Sequence, residues 1–436
     1  MNYNTFLLRF GFNPADFKNK EATIVEGDDD SIIYELEQEI HDRTCPNCFN
    51  PKTQVKDHDW VEITLNTTIG KKEYLRIRKT RFKCPKCKTT FTPSIQGIER
   101  YEKISDITKQ SIIQEFYKIQ SFKDIADRYG VSVQTVIDLF DEYTKIMPRR
   151  PLPEYLCIDE KHFEGDTSGK YVVVLSDFFT GEVIDVLENR QMPYLERYFD
   201  SISFYERRNV KVFISDMYDG YSSIKDRYFS NALFVVDLFH VIKQLTEIVK
   251  KIRVITYKQF LDADSLEYHF LKTNWKIFLC DQYKIRKNLY HSSKFDITIP
   301  YGEIILRCLR KNQVFWDAYD ILQELLHYDK YESWNDANKF MERIINKLVL
   351  SGDDMLIGVA MTYKKWKVGI LNGLARNQTG RRYSNSVAEG NNSMIDKIID
   401  VSNGYKKFKR FRARIMLIMT YNNQKQGVQI GHPRLI

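Results

Sequence analysis

The sequence contains no long hydrophobic run, no secretory leader and no cysteine pattern typical of a disulfide-rich secreted protein. Its apolar stretches are short and interrupted by charged residues, which argues against a membrane-spanning helix. The amino-terminal residues lack the basic and apolar segments of a signal peptide. We therefore expect a cytoplasmic protein that does not enter a membrane.

Charge and length indicate what kind of partner the protein binds and how many domains it contains. The 436 residues include 66 Lys and Arg against 58 Asp and Glu, which gives a formal net charge of +8. The positive charge is concentrated in a few segments, as in proteins that bind polyanions. A chain of this length is also too long for one compact core, so we expect two to four domains.

Four of the seven cysteines form two Cys-Pro-x-Cys pairs that frame a segment with the pattern of a β-hairpin. Each pair can bring two thiolates to one ion, and two pairs supply the four ligands of a closed tetrahedral zinc site. A redox pair and free thiols are the alternatives, and neither accounts for two pairs around one hairpin. The predicted ligands of one structural Zn²⁺ are Cys45, Cys48, Cys84 and Cys87.

The segment after the second cysteine pair changes to a helical period and has the layout of a helix-turn-helix. Gly130 suits the turn because it tolerates a left-handed backbone, and Ser132 can cap the second helix. In this interpretation Val133, Gln134 and Thr135 open a recognition helix that lies in the DNA major groove. A plain helical hairpin without DNA contacts is the alternative.

Three runs of β-branched and aromatic residues, beginning at Tyr155, Tyr171 and Glu182, predict a three-stranded meander. Asp159 lies in the middle of the first run. A buried carboxylate without a partner is costly, so Asp159 must be exposed, paired or bound to a cation. This position is the first indication of a metal site.

Two further strands are predicted at Val210–Ser215 and Ala232–Val236, separated by a helix and each followed by an aspartate. A meander, a helix, a fourth strand, a helix and a fifth strand resemble the strand order of a ribonuclease H-like sheet. That fold keeps one carboxylate midway along the first strand and a second just beyond the fourth. Asp159 and Asp216 occupy those two positions.

The remainder of the chain is predicted to be mostly helical. The stretch from Val241 to Asn377 exceeds a minimal ribonuclease H-like domain, so we interpret it as an inserted helical subdomain. Beyond it, Ser384 or Asn385 can cap a helix that carries Glu389 about one turn inside.

A segment that interleaves aromatic and basic residues follows that helix and is typical of a phosphate-contacting helix. A solvated basic face is the alternative. The predicted DNA-binding residues of this segment are Lys406, Lys407, Lys409, Arg410, Arg412 and Arg414.

Five short segments, taken together and in their order along the chain, resemble segments of the bacterial insertion-sequence transposases of the ISL-three type, within the DDE superfamily. The resemblance extends from Cys45 to Arg414. The segments are Ile158-Asp159-Glu160, Asp216-Met217 with Tyr221, Asp237 with His240, Ser384-Asn385 with Glu389-Gly390 and Asn392, and Gly404-Tyr405 with Phe408, Arg412 and Arg414.

The resemblance implies that Asp159, Asp216 and Glu389 form a catalytic triad. Three such carboxylates can hold two Mg²⁺ ions, or Mn²⁺ as a substitute, for displacement at phosphorus. Two other acidic residues lie close in sequence and are expected to stay outside the triad: Glu160 should face away from its neighbour on the strand, and Asp219 should lie a turn into the next helix. The residues expected to support the triad are His240, Asp237 and Asn392.

The resemblance also implies a function. It predicts a nucleoid-associated bacterial enzyme that binds the terminal inverted repeats of its element as a homodimer, cuts double-stranded DNA and joins the cut ends to target DNA. Two alternatives stay open. One is a nuclease that cuts without joining, and the other is a domesticated transposase that acts only as a sequence-specific DNA-binding regulator.

The predicted fold class is a multidomain α/β protein with an N-terminal zinc ribbon, a helix-turn-helix and a ribonuclease H-like mixed sheet with an inserted helical subdomain. The predicted boundaries are 1–40 for an N-terminal arm, 41–100 for the zinc ribbon, 101–146 for the helix-turn-helix, 147–240 with 378–420 for the catalytic domain, 241–377 for the insertion and 421–436 for a C-terminal tail.

Overall fold

The computed structural model describes residues 3–18, 21–27, 31–65, 71–98, 102–259, 264–328, 333–375, 382–383 and 386–425, with the side chains of the last segment described from 390 to 419. Contacts divide the chain into two compact units. The first contains Met1–Pro148, Glu164–Asp166 and Met394–Ile436, and the second contains Arg149–Phe163 and Thr167–Ser393.

Twelve strands and seventeen α-helices are found in the described residues. The strands are β1 (Thr23–Glu26), β2 (Ile32–Glu37), β3 (Gln54–Thr64), β4 (Glu73–Lys83), β5 (Thr90–Phe91), β6 (Tyr155–His162), β7 (Tyr171–Asp177), β8 (Val183–Leu187), β9 (Val212–Ser215), β10 (Leu233–Val236), β11 (Leu289–Ser292) and β12 (Ile297–Pro300). The helices are α1 (Tyr3–Arg9), α2 (Asp106–Glu115), α3 (Phe122–Tyr129), α4 (Val133–Tyr143), α5 (Met192–Asp200), α6 (Phe204–Arg208), α7 (Asp219–Tyr228), α8 (Leu238–Lys258), α9 (Leu266–Thr273), α10 (Gln282–Ile285), α11 (Tyr301–Leu309), α12 (Gln313–Leu326), α13 (Trp334–Leu350), α14 (Asp354–Lys365), α15 (Lys367–Leu374), α16 (Ser386–Val401) and α17 (Phe408–Lys425).

The first unit contains a sheet with the strand order β1-β2-β4-β3, and β5 pairs with β4. The long strands β3 and β4 form the predicted antiparallel hairpin between the cysteine pairs. Strand β2 comes from the first 40 residues and pairs parallel with β4. Its apolar residues Ile33 and Leu36 are buried, so this N-terminal segment is part of the sheet and not a free arm.

Helices α2, α3 and α4 of the first unit begin at serine caps and surround one apolar core. Ser121 and Asp124 form a reciprocal capping box at α3, and Gly130 ends that helix with a φ of 65°, a backbone conformation that suits glycine. The C-terminal helix α17 completes the same core through Ala413 and Leu417. The predicted pair of helices is therefore part of a larger helical cluster.

The second unit is built on a mixed sheet with the order β10-β9-β6-β7-β8. Strands β6, β7 and β8 form the predicted antiparallel meander, whereas β9 runs parallel to β6 and β10 runs parallel to β9. Alternate residues of β6 enter different cores, with Leu156 and Ile158 on one face and Cys157 on the other. This alternation sets the direction in which the next residue of the strand, Asp159, points.

Helical segments surround this sheet. The segment between β8 and β9, where one helix is predicted, contains the two helices α5 and α6, because Ser203 starts α6 by accepting a hydrogen bond from the Glu206 amide. Residues 238–374 are predominantly helical where they are described, and their core also includes Val236 of β10. They contain the short hairpin β11–β12, which was not predicted. Within the described residues, no helix has the length and hydropathy needed to cross a membrane.

Candidate functional site

Asp159 lies on β6 opposite Val174 of β7, three residues before the strand ends. Its Oδ1 accepts a 2.8 Å hydrogen bond from the Glu160 amide, and its Oδ2 accepts a 2.7 Å hydrogen bond from the side-chain amide of Asn392. Burial raises the pKa of this carboxyl group, and neighbouring negative charges on Asp237 and Glu160 raise it further. The group is therefore oriented and partly withdrawn from water.

Asp216 follows the last residue of β9, at the end of the sheet that the parallel strands β6 and β9 share. Its Oδ1 is buried, and within the described part of the chain no hydrogen-bond donor reaches it. Burial and the negative charges of Glu160 and Asp159 raise its pKa to about 7. An unpartnered buried carboxylate oxygen is costly unless a cation or a proton satisfies it.

Asp237 and His240 lie at the start of α8, directly after β10. Asp237 is only 1% exposed and caps the helix by accepting a 3.2 Å hydrogen bond from the Phe239 amide. Its Oδ2 lies 3.8 Å from Nε2 of His240. Burial lowers the pKa of His240 and the charge of Asp159 opposes this, so the imidazole is an electrostatic neighbour of the Asp159 carboxylate.

Glu389 lies in α16, but its side chain is outside the described residues, as are Ser384 and Asn385. Among the described side chains, no three carboxylate or imidazole groups come together as metal ligands in this region. The structure thus brings Asp159, Asp216 and Asn392 into one site, and the assignment of Glu389 stays a prediction.

Glu160 has a role that the sequence did not reveal. Its carboxylate accepts hydrogen bonds from Nη1 of Arg190 at 2.8 and 3.0 Å, and from the hydroxyl of Tyr221 at 3.0 Å. The side chains of Asp159 and Glu160 point to opposite faces of the strand. Even so, the negative charge of Glu160 raises the pKa of Asp216, so Glu160 belongs to the surroundings of the site. By contrast, Asp219 is exposed and forms a 2.6 Å ion pair with Lys365.

A match to a known protein family identifies the family of this chain. A family model described as a transposase, of the ISL-three DDE type, matches residues 156–415, which is more than half of the chain. The chain belongs to this transposase family. No curated protein matches it. The matched region contains Asp159, Asp216 and Asn392, and the substrate of the family is DNA.

The transposase carries a second candidate metal site outside the matched region, formed by the four predicted cysteines. One sulfur atom from each of Cys45, Cys48, Cys84 and Cys87 lies within 4.8 Å of the others. Two of the distances, Cys45 to Cys87 and Cys48 to Cys84, are 3.5 and 3.6 Å. Tetrahedral zinc with bonds of about 2.3 Å separates its sulfur ligands by about 3.8 Å.

The backbone turns in the same way after each cysteine pair, but the electrostatic surroundings of the thiols differ: hydrogen bonds lower the pKa values of Cys84 and Cys87, whereas burial raises the pKa of Cys48 to about 12. The residue after each pair, Phe49 and Lys88, adopts a left-handed backbone with φ of 55° and 62°, which turns both loops in the same way. Hydrogen bonds with the side chain and backbone of Thr89 lower the pKa of Cys87 to about 5. A thiolate is the form that binds zinc, so the cluster is compatible with a structural zinc ion.

The predicted recognition residues lie in the first turn of α4. Ser132 caps the helix by accepting a hydrogen bond from the Thr135 amide, and Val133 is 40% exposed although it is apolar. Gln134 is exposed and donates a 2.6 Å hydrogen bond to Asp138. These side chains are accessible, with Thr135 partly covered, and their contact with DNA stays a prediction.

The predicted basic segment divides into two groups. Lys406, Lys407 and Lys409 are exposed. The three arginines instead make contacts inside the first unit: Arg410 pairs with Asp141 at 2.6 and 2.7 Å, and Nη1 of Arg412 donates to the Met147 carbonyl at 2.9 Å.

Arg414 is only 1% exposed, and the contacts of its guanidinium are structural. It donates to three carbonyl oxygens at 2.7 to 3.0 Å, those of Phe116, Lys118 and Gln120. These contacts fix α17 to the segment between α2 and α3. For Arg414 the expected contact with DNA phosphate is therefore replaced by a contact with the protein backbone.

Proposed function

We propose that this protein is a DDE transposase of a bacterial insertion sequence. In this proposal it binds the terminal inverted repeats of its element, cuts the DNA strand in a metal-dependent step and joins the freed end to target DNA. The observation that carries the proposal is the pair Asp159 and Asp216 at one end of the sheet, two partly buried carboxylates with raised pKa values in a chain of the transposase family.

The sheet of the second unit supports a ribonuclease H-like interpretation. The meander, the fourth strand and the fifth strand that this interpretation expects along the chain form one sheet, with the spatial order β10-β9-β6-β7-β8. The interpretation also expects one carboxylate within the first strand of the meander and one beyond the next parallel strand. Asp159 and Asp216 satisfy both expectations.

In the proposed site, Asp159, Asp216 and Glu389 hold two Mg²⁺ or Mn²⁺ ions. The donor set fits because all three are hard oxygen ligands and the buried Oδ1 of Asp216 has no protein partner among the described residues. When bound, such a pair of ions activates the attacking hydroxyl and stabilises the charge on the leaving oxygen.

The chain itself contributes orientation and electrostatics. Asn392 and the Glu160 amide each donate one hydrogen bond to a different oxygen of Asp159, which fixes the plane of that carboxylate. Position 389 lies one turn before Asn392 on the same face of α16. The contact between Asn392 and Asp159 therefore supports a place for Glu389 at the same site. The lowered pKa of His240 keeps a neutral imidazole beside the carboxylates near pH 7.

The first unit is proposed to recognise DNA. In this proposal α3 and α4 form a helix-turn-helix, Val133, Gln134 and Thr135 face the major groove, and the exposed lysines at the start of α17 contact phosphates. Zinc at the four cysteines holds the two loops at the base of the β3–β4 hairpin. We further propose that two copies act together on paired ends in the bacterial nucleoid.

A joining assay tests the proposed function. A labelled duplex that carries the inverted repeats flanking the gene is incubated with a target plasmid, the zinc-loaded protein and Mg²⁺ or Mn²⁺. The proposal predicts that label is cut from its flank and becomes covalently attached to the plasmid. Cleavage without attachment would favour a nuclease, and tight binding without cleavage in either metal would favour a regulator.

A further inference from the structure

The guanidinium of Arg190 lies between two tyrosine rings close to the candidate active site. Its central carbon is 5.3 Å from the ring centre of Tyr171 and 5.3 Å from that of Tyr218. The Arg190 side chain is 43% exposed and Tyr171 is 41% exposed. A cation held in one orientation between two aromatic faces, and still open to solvent, is suited to bind an anionic ligand.

The backbone around Tyr218 is adapted to this arrangement. Gly220 has no side chain, and a Cβ atom there would lie 2.4 Å from the Tyr218 ring. The ring therefore folds over Gly220 and meets Tyr221 edge to face, with 5.1 Å between ring centres. Because Tyr221 is fully buried, it provides a rigid support for Tyr218.

The two tyrosines that contact Arg190 are connected to the proposed catalytic carboxylates, Tyr218 by its position in the sequence and Tyr171 by strand pairing. Tyr218 comes two residues after Asp216, and Tyr171 pairs with His162 at the end of the strand that carries Asp159. Arg190 itself donates two hydrogen bonds to Glu160, and both use the same nitrogen, Nη1. Among the described residues, no acceptor is bound by its Nε or Nη2, and this edge of the guanidinium matches a pair of phosphate oxygens.

We propose that Tyr171, Arg190 and Tyr218 form a binding site for a phosphate of the DNA strand that enters the active site. Arg190 donates to the phosphate through the edge formed by Nε and Nη2, while the two rings hold the guanidinium plane and line the path of the strand. The site rests on the proposed function, since it positions DNA for the reaction at Asp159 and Asp216. It places one positive charge next to a group of carboxylates that would otherwise repel the strand.

The competing explanation is that Arg190 only neutralises Glu160. Removing Arg190 would then be harmful because it leaves a carboxylate that is only 13% exposed without its cation. The two explanations differ in one respect: replacing Glu160 with Gln removes the unpaired charge but cannot restore a lost phosphate contact. The double variant Glu160→Gln/Arg190→Ala therefore separates them.

Arg227 is a matched control for the single variant. It is also exposed, pairs with a glutamate through a 2.5 Å contact to Glu196, and lies 5.3 Å from a tyrosine ring, that of Tyr228. It differs in position, because it lies near the far end of α7 and not beside Asp216.

The experiment measures equilibrium binding of a labelled duplex carrying the flanking inverted repeats, at several salt concentrations, together with Mg²⁺-dependent cleavage. Arg190→Ala should weaken binding roughly tenfold and reduce the salt slope by about one, and the double variant should stay equally weak. Arg227→Ala should behave as wild type. Wild-type binding by Arg190→Ala, or recovery in the double variant, would overturn the inference. A wild-type protein that binds but never cleaves would instead contradict the proposed function.

Discussion

The side-chain amide of Asn392 donates a 2.7 Å hydrogen bond to Oδ2 of Asp159, across 233 positions of sequence. This contact brings the first turns of α16 to the middle of β6. A second contact lies next to it, because the side-chain amide of Asn391 donates to the Gly181 carbonyl at 3.1 Å. The helix that carries Glu389 is therefore held at two adjacent residues, by the strand that carries Asp159 and by the turn between β7 and β8.

Replacing Asn392 with Ala should lower the rate of DNA cleavage by a factor of about 10 to 150, since a lost hydrogen bond to a charged group costs about 1.5–3 kcal/mol. The measurement is single-turnover cleavage at saturating DNA and varied Mg²⁺. Asn392→Asp should act differently, because a second carboxylate would raise the Asp159 pKa and move the pH profile of cleavage upward. An unchanged rate in Asn392→Ala would show that the contact has no part in the reaction.

The raised pKa of Asp216 predicts a pH-dependent stability in the zinc-loaded, Mg²⁺-free protein. The pKa is about 7 in the folded chain, against an ordinary value of 3.8, so the folded state binds the proton more tightly. The contribution of Asp216 to stability is therefore full below pH 3.8 and is lost as the pH rises through 7. In Asp216→Asn no carboxyl group ionises at this position, so this loss of stability with rising pH does not occur.

The free energy of unfolding of Asp216→Asn should accordingly exceed that of wild type by a margin that grows from pH 4 to pH 8, to about 2–4 kcal/mol. Urea denaturation at each pH measures the margin, and the same variant should have no cleavage activity. A margin that stays constant with pH would contradict the burial of this carboxylate.

Cys84→Ser should abolish stoichiometric zinc binding, because a hydroxyl replaces one of four thiolates in a closed site. Metal analysis of the purified protein should give one zinc per wild-type chain and much less than one in the variant. Cys157→Ser is the matched control, since Cys157 is also buried but lies apart from the cluster, on β6. Equal zinc content in all three proteins would remove the zinc assignment.

Arg414→Ala should destabilise the protein by about 2–4 kcal/mol, since it leaves three carbonyl oxygens without their buried donor. Lys409→Ala, an exposed position on the same helix, should leave stability unchanged and weaken DNA binding, with a smaller salt slope. Denaturation curves and binding titrations of the two variants should show opposite effects. Loss of DNA binding without loss of stability in Arg414→Ala would contradict the structural role.

The strands of the second unit were predictable because each is a short run of β-branched and aromatic residues bounded by turns. The positions of Asp159 and Asp216 followed from those strands, as one carboxylate interrupts the first and the other ends the fourth. The cysteine cluster was also predictable, because paired cysteines around a hairpin leave few other structures. In these cases the signal is local in sequence.

Contacts between distant segments could not be predicted in the same way. Glu160 pairs with Arg190 thirty positions later, and strand alternation alone directed it away from the site. Arg414 lies in a segment whose basic and aromatic pattern fits a DNA-binding surface equally well, and only its burial and its hydrogen bonds to the segment between α2 and α3 reveal a structural role. The hairpin β11–β12 was missed because each of its strands buries only one residue and neither is a continuous apolar run.

The most direct test of the proposed catalytic centre is cleavage of the repeat-bearing duplex by wild type, Glu389→Gln and Asp396→Asn, with Mg²⁺ or Mn²⁺. Asp396 is a suitable control because it is an acidic residue of the same helix, two turns beyond Glu389. We predict that wild type and Asp396→Asn cut the duplex only with metal, and that Glu389→Gln binds it without cutting. Cleavage by Glu389→Gln at the wild-type rate would contradict the triad of Asp159, Asp216 and Glu389.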